Sequence, residues 1–227
     1  MQNAKISDDD WISIECNLGY RPHNLLDIAS RCPINDTPTV LRLYPLRPIR
    51  GNKSGEREMF PTLYWLCDES LKIKVSVLEA RGDIMQLQER LDTSPCAQRS
   101  MQKSHEAYAQ ERWSLLSKED CNHVIEKKWD THLQKCGIAG MRTFLSVKCM
   151  HTHLAHYLAT GDNVLGKWTQ ELLENENNKS LEAMSTTVLQ ETLNESLEKA
   201  TALLEDTLIS VEKATELLQT DKDSTEL

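Results

Sequence analysis

The sequence predicts an α+β fold, mostly helical, in which a small N-terminal β-sheet packs against a helical second half and a C-terminal amphipathic helix follows. Three observations carry that prediction. Five of the seven prolines lie between Pro33 and Pro61, which excludes helix over most of that span. Three short runs of β-branched, leucine or aromatic residues lie in or beside the same region. No proline follows Pro95 and no glycine follows Gly166, so little interrupts helices in the second half.

Ser7 suits an N-cap, and Asp8, Asp9 and Asp10 sit where the positive end of a helix dipole favours carboxylates. The helix that follows carries Trp11, Ile14 and Cys16 and ends at Gly19. Strands are expected at Leu25–Ala29, Thr39–Tyr44 and Thr62–Leu66, with the polar segment Gly51–Glu56 as a mobile hairpin connection between the second and third.

From Glu69 the pattern becomes helical. Leu71, Val75 and Leu78 line one face and Ile73 and Val77 another, which predicts a helix buried on two sides and stopped by Gly82. Ile84, Leu87 and Leu91 repeat at helical spacing. Ser94-Pro95 opens a long helix toward Trp113. Ser117, with Asp120 three residues later, opens another through Val124 to Cys136.

Residue types that bind metals or move protons crowd into the stretch from Gly137 to Trp168. A helix over 141–160, turning about 100° per residue, puts Phe144, Val147, Met150, His151, Leu154 and Leu158 on a core face. Leu145, Cys149, Thr152, His153 and His156 fall on the other. Cys149 and His153 stand at i, i+4 and His153 and His156 at i, i+3, so neighbouring pairs are placed to share a cation or a proton. His151, on the apolar face, needs a hydrogen-bond partner if buried. Lys148 adjoins Cys149, but successive helical residues point apart, so its effect on the thiol is small.

Charge is unevenly placed. Residues 176–227 hold 12 acidic and 4 basic side chains, a net of −8, and the rest of the chain has a net of −1. No basic patch suits nucleic acid, which is discounted as a partner. Seven cysteines without a C-x-x-C spacing fit reduced thiols in the cytoplasm. The N-terminus lacks a secretory h-region, and no apolar run approaches the ~20 residues of a membrane span, so a soluble protein is expected. Past Asn175, Leu193, Leu197, Ala200, Leu204, Leu208, Val211 and Leu218 form a stripe that must be covered by the body, by a second copy or by a partner. The expected division is therefore an α+β domain over 1–175 and an acidic amphipathic helical extension over 176–227, with 189–218 available for self-association or a protein partner.

Several pieces of the chain, in order, carry a resemblance. They are Leu18-Gly19-Tyr20-Arg21-Pro22, Arg31-Cys32-Pro33, Pro61-Thr62-Leu63-Tyr64-Trp65-Leu66, Ser76-Val77-Leu78-Glu79, His105-Glu106-Ala107-Tyr108 with Glu111-Arg112, the Gly137–Met141 turn, Val147-Lys148-Cys149-Met150-His151 with His156, and Asn163 with Gly166. Over about residues 8–175 the chain resembles a bacterial domain-of-unknown-function family, number 501. It departs from the family at Ile34-Asn35-Asp36-Thr37, at Cys67-Asp68-Glu69 and at Asn163-Val164. The resemblance points to Cys149, His151 and His156, where helical geometry alone favours Cys149, His153 and His156. The family has no established activity, so the resemblance implies residues and no chemistry.

The resulting expectation is a small-molecule or metal-binding site, hydrolytic in character. His105, Glu106, Cys149 and His151 would be its catalytic groups, and Arg31, Arg142 and Lys148 would hold an anionic substrate. Cys149, His151 and His156 would be ligands for a divalent metal such as zinc. Glu111 and Arg112 read as surface charges. The alternative is a non-enzymatic interaction protein acting through its acidic C-terminal helix. No phosphate-loop, dinucleotide or G-x-S-x-G motif supports a nucleotide or serine-hydrolase reading.

Overall fold

The computed structural model describes residues 6–49, 51 and 55–223, with backbone alone for 188, 200 and 202–223. Helix α1 (Asp8–Leu18) starts in a capping box: Asp10 N–H donates to Ser7 Oγ at 3.1 Å and Ser7 N–H to Asp10 Oδ2 at 3.2 Å. Gly19, at φ 75°, closes it in the left-handed conformation.

Strands β1 (Leu25–Arg31) and β2 (Pro38–Leu43) pair antiparallel. A short hairpin, β3 (Leu46–Pro48) and β4 (Arg57–Met59), follows, and then β5 (Tyr64–Leu66). The main sheet has the order β1-β2-β5, with Leu41 opposite Trp65, and β3-β4 forms a separate two-stranded sheet. The three expected strands are thus present and the hairpin is an addition. Residues 52–54 of the 51–56 connection lie outside the described residues.

Strand β2 is buried on both faces because its alternate side chains enter different cores. Val40 joins the helical core with Tyr64, Leu66, Tyr108, Met150 and Leu154. Leu41 and Leu43 pack with Ile14 of α1 and with Cys67.

The helices are α2 (Glu69–Arg81), α3 (Asp83–Asp92), α4 (Pro95–Ser114), α5 (Lys118–Glu126), α6 (Asp130–Lys135), α7 (Met150–Thr160) and α8 (Val164–Asp223), with a 3-10 turn at Ile138–Gly140. Three expectations are corrected. Helix α2 buries one side only: Val75 and Leu78 are in the core, but Ile73 and Val77 are 57% and 58% exposed. The helix expected from Ser117 to Cys136 breaks in two, because Lys128 turns left-handed at φ 60° and Trp129 N–H bonds back to Val124 O at 2.9 Å. The segment 141–149 is not helical. The Gln88 amide pairs with its backbone instead, accepting from Val147 N–H at 2.8 Å and donating to Leu145 O at 2.9 Å.

Two compact units are distinguished, Met1–Leu173 and Glu174–Leu227. The second is helical as far as Asp223, and its Leu181, Met184, Leu189, Leu193 and Leu197 are 63–67% exposed. Of the remaining stripe residues, Ala200, Leu204, Leu208, Val211 and Leu218, the side chains fall outside the described residues. No helix among the described residues is long and apolar enough to cross a membrane.

Candidate functional site

Helix α7 begins one residue after Cys149, which occupies the N-cap position without using its side chain as a cap. That duty passes to Glu79 in the last turn of α2, whose Oε1 accepts the Met150 N–H at 2.7 Å. The thiol is thus not needed as a cap, and a carboxylate oxygen lies within 4.8 Å of it. His151, in the first turn of α7, completes the group: its Nδ1 is 3.2 Å from Glu79 Oε1 and 3.9 Å from Cys149 Sγ. One donor atom from each of Glu79, Cys149 and His151 lies within 4.8 Å of the others, and no further cluster of this kind occurs among the described residues.

The ring orientation is fixed from behind. His151 Nε2 is 3.1 Å from the Lys72 carbonyl, which can only accept, so Nε2 carries hydrogen. Ser76 Oγ is 3.2 Å from the same nitrogen. Nδ1 is therefore the basic atom, and it faces both the thiol and the carboxylate. The Cys149 bond, aided by the Lys72 carbonyl and opposed by burial, pushes the imidazole up to about 9. Burial pushes the Cys149 thiol up, but hydrogen bonds with His151 and Thr152 outweigh it and leave the thiol below its ordinary value. All three groups are partly exposed, and the His151 and Glu79 side chains are 25% and 26% accessible.

The other expected site residues are not gathered here. His105, His153 and His156 form a separate buried cluster, 0%, 0% and 4% exposed. His153 and His156 were expected on a polar helix face and are instead in the core, so His156 does not join Cys149 and His151 as a metal ligand. Asn163 sits between the two rings. Gly166 N–H donates to Asn163 Oδ1 at 2.9 Å, which turns the amide nitrogen toward His153 Nδ1 at 3.1 Å and His156 Nδ1 at 3.2 Å. His105 Nδ1 accepts the Ile138 N–H at 3.0 Å. Every Nδ1 in this cluster is thus an acceptor, and in the neutral rings the hydrogen is on Nε2. Burial pulls His105 and His156 down to about 4 and His153 to about 3, so all three are neutral near pH 7.

Arg31 is engaged elsewhere, in a bidentate pair with Asp10 at 2.8 and 2.9 Å and a bond to Asp36 O at 2.8 Å. Glu106 is exposed and accepts from Gln102 at 2.9 Å. Arg142 is exposed, and the exposed Lys148 reaches the Ala139 carbonyl at 3.4 Å. The expected cleft uniting Arg31, His105, Glu106, Cys149 and His151 is therefore not formed.

Two residues escaped the sequence reasoning. Glu79 is one, although it ends the Ser76–Glu79 piece of the resemblance. Arg112 is the other: it is 0% exposed rather than a surface charge. Its guanidinium donates to Leu133 O at 2.6 and 2.8 Å, to Pro61 O at 3.1 Å and to Cys136 O.

Fold and site together define an α+β protein with a mixed thiol–imidazole–carboxylate cluster at the junction of two helices. The family model described as "Protein of unknown function (DUF501)" matches residues 28–171, and the chain belongs to that family. No curated protein and no solved structure matches it.

Proposed function

We propose that Glu79, Cys149 and His151 bind a divalent metal, zinc by their donor chemistry, and that an open coordination position serves hydrolysis of a small molecule. The observation that carries this reading is the convergence of thiol and carboxylate on one imidazole nitrogen. A nucleophile triad divides its partners between the two ring nitrogens, with the thiol on one and the orienting acid on the other. Here both crowd Nδ1, while a backbone carbonyl holds Nε2–H, the outer support typical of a ligating histidine. Tetrahedral zinc with bonds of about 2.0–2.3 Å sets its S and N ligands roughly 3.6 Å apart and its N and O ligands roughly 3.3 Å apart. The corresponding separations are 3.9 and 3.2 Å. Three protein ligands leave the fourth position for water, whose pKa zinc lowers to about 7.

Metal analysis of the purified protein tests this. Stoichiometric zinc that disappears in a Cys149→Ser, His151→Ala double variant is the expected result. A metal-free protein that also fails to take up added zinc refutes it.

A second reading is favoured by the exposed leucines and methionine between Leu181 and Leu197: the acidic helix engages a protein partner. Deleting residues 176–227 while the remainder stays folded, with loss of a co-purifying partner, is what this reading expects. Retention of that partner by the shortened protein refutes it.

A further inference from the structure

Two buried donors in the histidine cluster have no acceptor among the described residues. Among the described residues, His105 Nε2 and His153 Nε2 lack any hydrogen-bond partner although both rings are 0% exposed. The tautomers derived above make both atoms N–H groups, because both Nδ1 positions are taken up accepting from Ile138 and Asn163. An N–H in this position does not ligate a metal; it calls for an acceptor. The rings lie edge to face with centroids 5.8 Å apart, so both donors belong to one small region. An unmatched buried polar group is costly, and two together point to something bound.

A buried cation of matching sign stands about two helical turns further along α4. Arg112, seven residues beyond His105 on the buried face of α4, is enclosed by carbonyls, with the Tyr108 ring 5.5 Å away, and no carboxylate among the described residues pairs with it. One aromatic ring lies between His105 and a surface cleft. Phe144 lies stacked on His105, with centroids 4.7 Å apart and planes 13° from parallel. The same phenyl forms part of the wall of a surface cleft of about 660 Å³ shared with Glu106, Trp113 and Lys135. The ring therefore lies between that cleft and His105.

We infer that the His105–His153 pair is an internal site for a small oxyanion, the carboxylate or phosphate oxygens of a ligand that enters past Phe144. The two Nε2–H groups donate to its oxygens, and Lys135 at the cleft opposes Glu106 in setting the charge of the approach.

The test follows the imidazole Nε2–H resonances of the full-length, ¹⁵N-histidine-labelled protein during titration with sodium acetate and, separately, inorganic phosphate. Saturable shifts of both the His105 and the His153 signals, complete in the millimolar range or below, are expected. A response to acetate alone identifies a carboxylate ligand, and a response to phosphate alone a phosphate; either supports the site. His105→Asn keeps an acceptor for Ile138 N–H while withdrawing the Nε2–H, its amide donor being shorter and elsewhere, and should weaken binding about tenfold or more. If that variant does not fold, His153→Asn asks the same question from the other ring. Phe144→Ala should speed exchange between free and bound signals about tenfold or more. Nε2–H signals that exchange with water yet stay unmoved by both anions would show a merely hydrated pair and overturn the proposal. Shifts that survive intact in the folded Asn variants would also overturn it.

Discussion

Glu79 Oε1 and His151 Nδ1 stand 3.2 Å apart, one from the end of α2 and the other from the first turn of α7, and the same oxygen holds the Met150 amide at 2.7 Å. Glu79 is thus a helix cap and a neighbour of the thiol at once, and the two roles can be separated. Glu79→Gln retains an oxygen for the Met150 N–H and removes the charge. Zinc affinity should fall about tenfold or more while the thermal midpoint changes little. Glu79→Ala also loses the cap and should cost about 1 kcal/mol of stability. Metal titration alongside thermal melting reads both, and a glutamine variant with unchanged zinc affinity would remove Glu79 from the ligand set.

Arg112 is the next case. Its planar fork satisfies the Leu133, Pro61 and Cys136 carbonyls simultaneously. Arg112→Met strands those acceptors in the core and should destabilise the protein by about 3–5 kcal/mol. Lysine supplies a point charge with three donors and should recover only part of the loss. Urea unfolding measures both, and a methionine variant within about 1 kcal/mol of the parent would show that the carbonyl cage contributes little.

Gly166 sets the approach of α8 to α7. A Cβ there would lie 2.2 Å from His153 O and 2.4 Å from Tyr157 Cβ, too close for either to remain in place. Gly166→Ala should cost about 1–3 kcal/mol or more, and the forced shift should disturb the Asn163 bridge between the two histidines. The unfolding midpoint and the imidazole resonances report the two effects independently.

Acid should unfold the protein in two stages. His105 and His156 titrate near 4 when folded but near 6.5 when unfolded. Between those values the unfolded chain binds more protons, so the contribution of these two rings is complete above about pH 6.5 and falls as pH drops toward 4, by on the order of 3 kcal/mol per ring at the limit. The Asp10 carboxyl, held down to about 2 chiefly by Arg31, contributes stability that is present above about pH 4 and lost only below it. Denaturant midpoints at pH 7, 5.5 and 4.5 should decline steadily, and His156→Gln should flatten the decline. A flat profile over that range would contradict the neutral-histidine core.

The fold was legible where local chemistry decides it. Prolines confined helix to the right regions, and Ser7, Ser94 and Ser117 cap the helices they precede. The site was only half legible, since a helical wheel assumes one dry side and one wet side. Helix α7 is enclosed by the sheet, α2 and the close-approaching start of α8, so His153 and His156 are buried despite their polar type. Their acceptor positions are met by Asn163, a residue on the next segment that no periodicity predicts. The resemblance named Cys149 and His151 together with His156, whereas the helical wheel set Cys149 and His151 on opposite faces. The third member of the observed cluster, Glu79, arrives from α2, 71 residues before Met150, to which it is bonded. Arg112 was misread for a similar reason, because its acceptors are carbonyls brought in by α6 and by the loop before β5.

The double allegiance of β2 bears on where the smallest folding fragment starts. The family match opens at residue 28, yet Leu41, Leu43 and Cys67 are shielded from water by Ile14, with Trp11 and Leu18 around it. A polypeptide trimmed to the matched region would bare that oily flank of the sheet and lose the Asp10 anchor of Arg31, inviting aggregation rather than yielding a minimal domain. A fragment meant to fold by itself should therefore keep the first helix, from Ser7 onward, and one that begins at residue 28 is expected to aggregate.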